Sequence, residues 1–328
     1  MPHTIASAAI DLDQANLAWA AIIEAKRIGI ISHRHPDPDT IGSNLTLYDL
    51  LSSMGKSVHS YCVDQIPQTY QFLPQTSGYL SELIPAEHDL LISVDCGSPE
   101  QMAFQKTHPT ILERNFINID HHASNQSFGI INIVQTNLSS TSEIIFNLLN
   151  YWGVSITPRM ATYLLVGLYY DTGSFMHSNA TPAVMEMAES LLRLGANQQL
   201  IIQNLYHNFS QEKFHLWGKT LEKIKITDKN SAVAVFGNDE LQEFHNASEN
   251  LSGVIDYISM TKESDFAVMI SEEKTGQIKG SLRTRYDHIN LSDLAGQLGG
   301  GGHRKASGFG FPGKLTKEVS WKIIPNPS

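Results

Sequence analysis

Three short runs of β-prone apolar residues, Ile28 to Ser32, Leu90 to Val94 and Phe116 to Ile119, each stop at a polar segment carrying Asp or His, in a first half where helical and strand-like segments alternate. Strands that alternate with helices specify a parallel sheet covered by helices. In such sheets ligands bind outside the carboxyl ends of the strands, so the residues after each run are where chemistry is to be sought. The helical segments are Asp13 to Lys26, Ile41 to Met54, Thr141 to Asn150, Thr157 to Tyr170 and Thr181 to Leu194, and Ser57 to Val63 adds a further β-rich run. At 328 residues the chain exceeds the size at which one hydrophobic core stops growing. A helical stretch at Gln211 to Lys223 and the turn signal Asp228-Lys229-Asn230 precede new strands at Ala232 to Phe236, Phe266 to Ser271 and Gln277 to Arg283, then a helix at Leu291 to Leu298. The expected organisation is an α/β fold with a parallel-sheet domain over residues 1–205, a linker helix over 206–228 and a smaller C-terminal α/β domain over 229–328.

Subtracting 33 Asp plus Glu from 23 Lys plus Arg leaves a formal charge of −10. That balance argues against broad electrostatic capture of duplex nucleic acid, yet leaves room for a small anion at a local site. Cys62 and Cys96 are too few to staple a chain of this size. No basic-then-apolar leader is visible and no run approaches the ~20 apolar residues that cross a bilayer. A reducing cytoplasm without membrane contact is the expected setting.

Ser32-His33-Arg34-His35-Pro36-Asp37-Pro38-Asp39 directly follows a predicted strand, and two prolines stiffen it. Alone, it reads equally well as a polar turn before a capped helix. The arrangement then recurs as Val94-Asp95-Cys96-Gly97-Ser98 and Ile119-Asp120-His121-His122, each at a strand end. Asp171, in Tyr170-Asp171-Thr172-Gly173-Ser174, ends an apolar helix, where Gly173 also suits a plain terminating turn. Together His33, Asp37, Asp39, Asp95, His121 and Asp171 offer hard carboxylate oxygens and imidazole nitrogens without a thiolate set, a mixture that suits Mn²⁺ better than structural zinc. A two-metal site, with ions roughly 3.5–4 Å apart, would use all of them. Two divalent ions would also neutralise the four carboxylates and let a phosphate approach.

Gly299-Gly300-Gly301-Gly302-His303-Arg304-Lys305-Ala306-Ser307-Gly308 fits neither G-x-G-x-x-G nor a P-loop. Read as a loop, its glycines let backbone N–H groups approach an anion closely, with His303 and Arg304 as further donors. Arg283, in Ser281-Leu282-Arg283-Thr284-Arg285 on a predicted strand, suits a bidentate phosphate clamp beside it.

These residues resemble the DHH phosphoesterases that carry a DHH-associated C-terminal domain, and among them the small bacterial enzymes acting as nanoRNase (oligoribonuclease) and 3′-phosphoadenosine 5′-phosphate (pAp) phosphatase. The resemblance rests on HRHPDPDTIGS at His33 to Ser43, VDCGS at Val94 to Ser98, IDHHASN at Ile119 to Asn125, GLYYDTGSF at Gly167 to Phe175, GSLRT at Gly280 to Thr284 and GGGGHRKASGF at Gly299 to Phe309. SSTSEII at Ser139 to Ile145 matches the family's Ser-Thr-x-Glu segment. The resemblance implies that His33 and Asp37 hold one Mn²⁺, that Asp39, His121 and Asp171 hold a second, and that Asp95 bridges them. His122 would then face the scissile phosphate, with Asp120 orienting a neighbour, and a hydroxide between the two ions would hydrolyse the ester. Ser281, Arg283, Gly300, Gly301, Gly302, His303 and Arg304 would position the rest of the substrate in a cleft between the domains. Two departures stand out, Pro38 where the family usually has Gly and His35 where it usually has Asn. The implied partners are short single-stranded RNA or DNA or a small nucleotide such as pApA, with a homodimer left open. Readings that share the metal site are a cyclic di-AMP phosphodiesterase and an inorganic pyrophosphatase or polyphosphatase. A metal-free nucleotide-binding regulator would not need every ligand to be present.

Overall fold

The structure, a computed structural model, describes residues 10–245 and 247–316. The chain divides into two units, the first ending at Asn208 and the second beginning at Phe209. In the first, α1 (Leu12–Glu24), β1 (Arg27–Ser32), α2 (Pro38–Ser53), β2 (Ser57–Tyr61), β3 (Leu90–Val94), α3 (Pro99–Met102), β4 (Phe116–Asp120) and β5 (Ile131–Val134) precede a helical run. That run is α4 (Thr141–Tyr151), α5 (Pro158–Asp171), α6 (Pro182–Arg193) and α7 (Gln198–Leu205). The five strands form one sheet in the order β2-β1-β3-β4-β5, and every pair is parallel. The central strands read as unbroken apolar runs because both faces are covered. Ile28, Ile30, Ile92 and Ile117 pack against the helices of one face with Ile41, Leu45 and Leu164. Ile31, Leu91 and Phe116 meet Met102, Phe104 and Ile111 on the other.

Strand pairing leaves the carboxyl ends of β1, β3 and β4 side by side: Ser32 lies opposite Val94, and Val94 opposite Ile119. The following helices start on local signals. Asp37 caps α2 by accepting from the Asp39 and Thr40 amides, with Pro38 at the first helical position, where a missing N–H costs nothing. Pro38 thus rigidifies the helix start and leaves its neighbours in place. Ser140 caps α4 by accepting from the Glu143 amide at 3.0 Å.

In the second unit, α8 (Gln211–Glu222), β6 (Lys225–Ile226), β7 (Ser231–Phe236), α9 (Asn238–Leu241), α10 (Ala247–Asn250), α11 (Val254–Ile258), β8 (Phe266–Glu272), β9 (Gln277–Arg283), α12 (Leu291–Gln297), β10 (Gly301–His303) and β11 (Ala306–Pro312) follow in order. Six strands form a sheet in the order β10-β11-β9-β8-β7-β6, antiparallel except for β7 with β8. Helix α8, read from sequence as part of a linker, buries Leu216 and Trp217 in this unit's core, and the Trp217 indole donates to the Asn250 carbonyl at 2.8 Å.

The glycine-rich run is not the loop its composition suggests. Gly301 to His303 form the edge strand β10 and pair with β11, Gly301 opposite Gly308 and Gly302 opposite Ser307. A Cβ on Gly300 would sit 2.1 Å from the Gly308 carbonyl, and one on Gly280 would sit 2.0 Å from the Phe309 ring. Close backbone and ring approach therefore requires these glycines whether or not an anion binds.

Candidate metal centre

At the end of β1, His33 points Nε2 toward Asp37 Oδ2 at 3.7 Å and Asp95 Oδ2 at 3.4 Å, while its Nδ1 lies 2.8 Å from the Arg34 carbonyl. At the end of β4, His121 points Nε2 toward Asp171 Oδ2 at 3.0 Å and Asp95 Oδ1 at 3.5 Å. Asp95, just past β3, therefore presents Oδ2 to His33 and Oδ1 to His121, with His122 Nδ1 3.6 Å from the same Oδ1. Its backbone is left-handed, with φ of 62°, a conformation that a non-glycine residue adopts at a cost and that recurs at functional sites. Its amide donates to the Ile119 carbonyl at 2.9 Å, and Oδ1 accepts from Thr141 Oγ1 at 3.0 Å.

Asp39, wholly buried in the first turn of α2, accepts the Thr141 amide at 2.7 Å and the Ser142 amide at 3.0 Å. These are donors from the first turn of α4, which carries the helix's positive end. Helix α5 closes the other side, and only a glycine fits there. A Cβ on Gly167 would lie 2.1 Å from Ser142 Oγ and 2.4 Å from Asp39 Oδ1. Asp171 ends α5 and is followed by three successive left-handed residues, Gly173, Ser174 and Phe175. Asn179 ties this end down, its Nδ2 donating to the carbonyls of Asp171 at 3.1 Å and Ser139 at 3.3 Å. Ser174 Oγ is hydrogen-bonded to the Tyr206 hydroxyl.

Asp120, fully buried, lies 2.7 Å through Oδ1 from His122 Nδ1 and accepts Asn125 Nδ2 through Oδ2 at 2.6 Å. The Asp120 contact places the His122 ring proton on Nδ1 and turns Nε2 away from the carboxylate. Three triads can each converge on one point: His33, Asp37 and Asp95; Asp39, His121 and Asp171; and Asp95, His121 and His122.

The electrostatics test whether cations belong here. No Lys or Arg pairs with Asp37, Asp39, Asp95, Asp120 or Asp171 among the described residues; their ionic partners are imidazoles alone. Burial, with the charges of Asp95 and Asp171 beside it, pushes the Asp39 carboxyl well up. Burial likewise pushes Asp171 up to about 6. Burial would raise Asp95 too, but the hydrogen bond from His33 and the charges of His122 and His121 outweigh it and hold the group low. Burial opposes charge on His33 and His121, yet their hydrogen bonds to Asp37 and Asp171 raise both well above the ordinary imidazole range. Without a cation, the cluster retains protons to offset its own charge. Buried charges are paired or coordinate metals, so this donor set fits divalent cations.

Of the remaining expected residues, Ser281 and Arg283 lie on β9, and Gly300 to Gly302 run into β10. Arg283 Nε donates to Asp256 Oδ1 at 2.9 Å and Nη1 to the Leu282 carbonyl, so its guanidinium is part-committed. Arg304 is exposed in the β10–β11 turn, and the His303 side chain lies outside the described residues. His35 has φ of 55°, the left-handed region that Asn tolerates best. Asp64 holds it there by accepting its amide at 2.8 Å. Asn179 gave no sequence signal as a site residue, since it acts on backbone carbonyls, and Gly167 opens one of the motifs but shows no role of its own in the sequence, since it acts through the absence of a side chain.

A helix-covered parallel sheet with carboxylates and imidazoles converging at adjacent strand ends has the form of an α/β protein with a candidate metal centre. Residues 27–168 match the DHH family, N-terminal domain, and residues 221–321 match the DHHA1 domain. The bifunctional oligoribonuclease and PAP phosphatase NrnA of Thermus thermophilus is 30% identical over 300 residues, covering 90% of this chain and 88% of that protein. Its counterpart in Bacillus subtilis is 27% identical over 287 residues, covering 85% and 88%. An exopolyphosphatase-related protein of Bacteroides fragilis superposes with a TM-score of 0.86 at 27% identity over 94% of each chain. The chain belongs to the DHH family and is a phosphoric ester hydrolase. No helix among the described residues is long and apolar enough to cross a membrane.

Proposed function

We propose that the protein hydrolyses short oligonucleotides, linear dinucleotides such as pApA, and 3′-phosphoadenosine 5′-phosphate, using two Mn²⁺ ions in its first domain. The observation that carries the chemistry is a set of buried and half-buried carboxylates whose ionic partners among the described residues are imidazoles alone. The substrate class follows from the relatives named oligoribonuclease and PAP phosphatase, matched over most of both chains.

In this reading His33, Asp37 and Asp95 hold one ion, and Asp39, His121, Asp171 and Asp95 hold the other. The separate oxygens that Asp95 turns to His33 and to His121 support its place as the bridge. Two divalent cations supply charge stabilisation for phosphoryl oxygens and a strong nucleophile from water at neutral pH. The chain supplies orientation and protons. His122, raised in pKa mainly by its hydrogen bond to Asp120 against the cost of burial, donates from Nε2 to a phosphoryl oxygen. Asp120 fixes that ring, and Asn125 fixes Asp120. Ser281, Arg283, Gly300, Gly301, Gly302, His303 and Arg304 hold a second phosphate of the substrate, with Arg283 offering Nη2, which has no hydrogen-bond partner among the described residues.

The test offers the purified protein, with Mn²⁺, pAp, pApA, cyclic di-AMP, RNA and DNA ladders of a few nucleotides, and pyrophosphate in parallel. Turnover of pAp and of dinucleotides, lost on chelation and restored best by Mn²⁺, is the expected result. Hydrolysis confined to pyrophosphate, or rates indifferent to chelator, would refute the reading.

A further inference from the structure

At the carboxyl end of the edge strand β2, beside the loop that carries His33 and Asp37, a cavity of about 540 Å³ opens. It is built by the connection from β2 to β3, whose regular structure is three single-turn 3₁₀ helices and one bridge of Leu80 to Tyr61. Irregular connections longer than about 12–15 residues are uncommon in compact domains and usually functional. Three contacts join the cavity wall to the neighbouring loop. Cys62 Sγ faces the His33 carbonyl at 3.3 Å, Asp64 accepts the His35 amide at 2.8 Å, and the Tyr79 hydroxyl lies 3.5 Å from Ser32 Oγ.

The lining selects a class of ligand. Asp64 is its one charged residue, and no Lys or Arg contributes among the described residues. A phosphate entering it would meet a carboxylate and no cation. A neutral heteroaromatic ring would instead find the Pro74 ring and the edge of Ile66 for its faces, and the Gln75 amide, the Ser77 hydroxyl and the side-chain oxygen of Gln71, whose Nε2 is held by the Ile66 carbonyl at 3.1 Å, for its edge. Gln75 carries two costs that its surroundings leave uncompensated. Its backbone is left-handed, with φ of 72°, and its side-chain oxygen is buried without a hydrogen-bond partner among the described residues. Buried polar atoms are nearly always satisfied and strained backbone gathers at ligand sites; a rotation of the Gln75 side chain toward the cavity would bring this oxygen, closed off from it in the structure, to a ligand donor.

We propose that this cavity seats a nucleobase of the substrate, the one next to the phosphate that the adjoining carboxylate and imidazole cluster works on, and that Gln75 reads the edge of that base. The proposal rests on the phosphoesterase reading above and adds a base-recognition site to it.

Adenosine has no phosphate, so its binding probes the cavity apart from catalysis. Calorimetry on the Mn²⁺-loaded protein is expected to show adenosine binding that Ser77→Trp, which fills the cavity from an exposed position, weakens at least tenfold. Gln75→Gly removes the amide and relieves the left-handed strain, so this variant keeps the fold. Its kcat/KM on pApA should fall roughly tenfold more than on bis-p-nitrophenyl phosphate, the factor that one lost hydrogen bond implies. Adenosine binding equal in wild type and Ser77→Trp, or equal losses on the two esters in Gln75→Gly, would overturn the proposal. A wild type that binds adenosine in the cavity yet hydrolyses no nucleotide would overturn the phosphoesterase reading and leave the base site standing.

Discussion

Gly167→Ala adds a single methyl group at the point where α5 crosses the wall of the candidate metal centre, and the geometry fixes what that methyl must displace. The new Cβ would lie 2.1 Å from Ser142 Oγ and 2.4 Å from Asp39 Oδ1, so one or both must retreat by roughly 1 Å to reach ordinary contact. Neither is a loose side-chain end: Asp39 accepts two α4 amides, and the other near atom of Ser142 is its Cβ at 3.0 Å. Overpacking of this kind costs about 1–3 kcal/mol, and the rigid surroundings place this case near the top of that range. A loss of about 3 kcal/mol lowers Tm by roughly 6–12 °C in a domain of this size. A 1 Å misplacement of a catalytic group can also cost about a hundredfold in rate. Melting curves, metal content by mass spectrometry and kcat on pApA report the three effects together. The control is Gly218→Ala in α8, where a Cβ meets nothing within 4 Å and helix propensity should raise stability by up to about 1 kcal/mol. A Gly167→Ala protein with full metal content and unchanged kcat would refute the claim that Asp39 is a positioned ligand against an unyielding wall.

Asp95→Asn should abolish turnover and lower bound metal, since one residue faces both imidazole groups; near-normal turnover would end the bridging assignment. The pH dependence of the metal-free protein has a definite sign. Asp39 and Asp171 have folded pKa values above their unfolded ones, so their stabilising protonation is complete below the unfolded carboxylate value and is lost as pH rises through about 6 for Asp171. His33 and His121, also raised, contribute stability that is lost as pH climbs through their elevated values. Tm in chelator should therefore fall from pH 5 to pH 8 while the gain on adding Mn²⁺ grows, because metal displaces those protons; a Mn²⁺ gain that is flat or shrinks with pH would contradict this. Arg283→Ala should leave metal content intact and lower kcat/KM on pAp and dinucleotides by about tenfold to a hundredfold, with a much smaller loss on bis-p-nitrophenyl phosphate. Equal losses on both substrates would assign Arg283 to the fold through its contact with Asp256.

The apolar runs of β1, β3 and β4 were legible because both faces of a central parallel strand are buried, which turns the sequence into an uninterrupted signal. Their Asp and His ends were legible for the same reason, since strand ends in register bring His33, Asp95 and His121 together from remote positions. Strand β5 gave no comparable signal: it is the half-exposed edge of the sheet and only four residues long. The glycine run misled as a loop because composition reports permissive backbone without saying what presses on it, and here the pressure comes from Phe309 and the Gly308 carbonyl. The β2–β3 connection was illegible for a different reason, as a cavity wall built from turns has no period to read.

Asp39 shows why fold and site cannot be assigned to separate residues in this domain. Its carboxylate satisfies the amides of Thr141 and Ser142, the first two helical positions of α4, and Ser140 takes the third at Glu143. Glu143 in turn accepts the amide and hydroxyl of Ser139, while the Thr141 hydroxyl holds Asp95. One helix start therefore orients two of the proposed ligands, and those ligands satisfy or engage that same helix start. Protonating Asp39, as burial favours in the absence of a cation, weakens the charge-assisted bonds that anchor α4. Metal loss should consequently loosen α4 first, ahead of the strands whose cores are made of Ile and Leu contacts. Amide hydrogen exchange with and without Mn²⁺ would show it as a selective gain in exchange at Thr141, Ser142 and Glu143, whereas a uniform change across the domain would mean that the cations act on global stability alone.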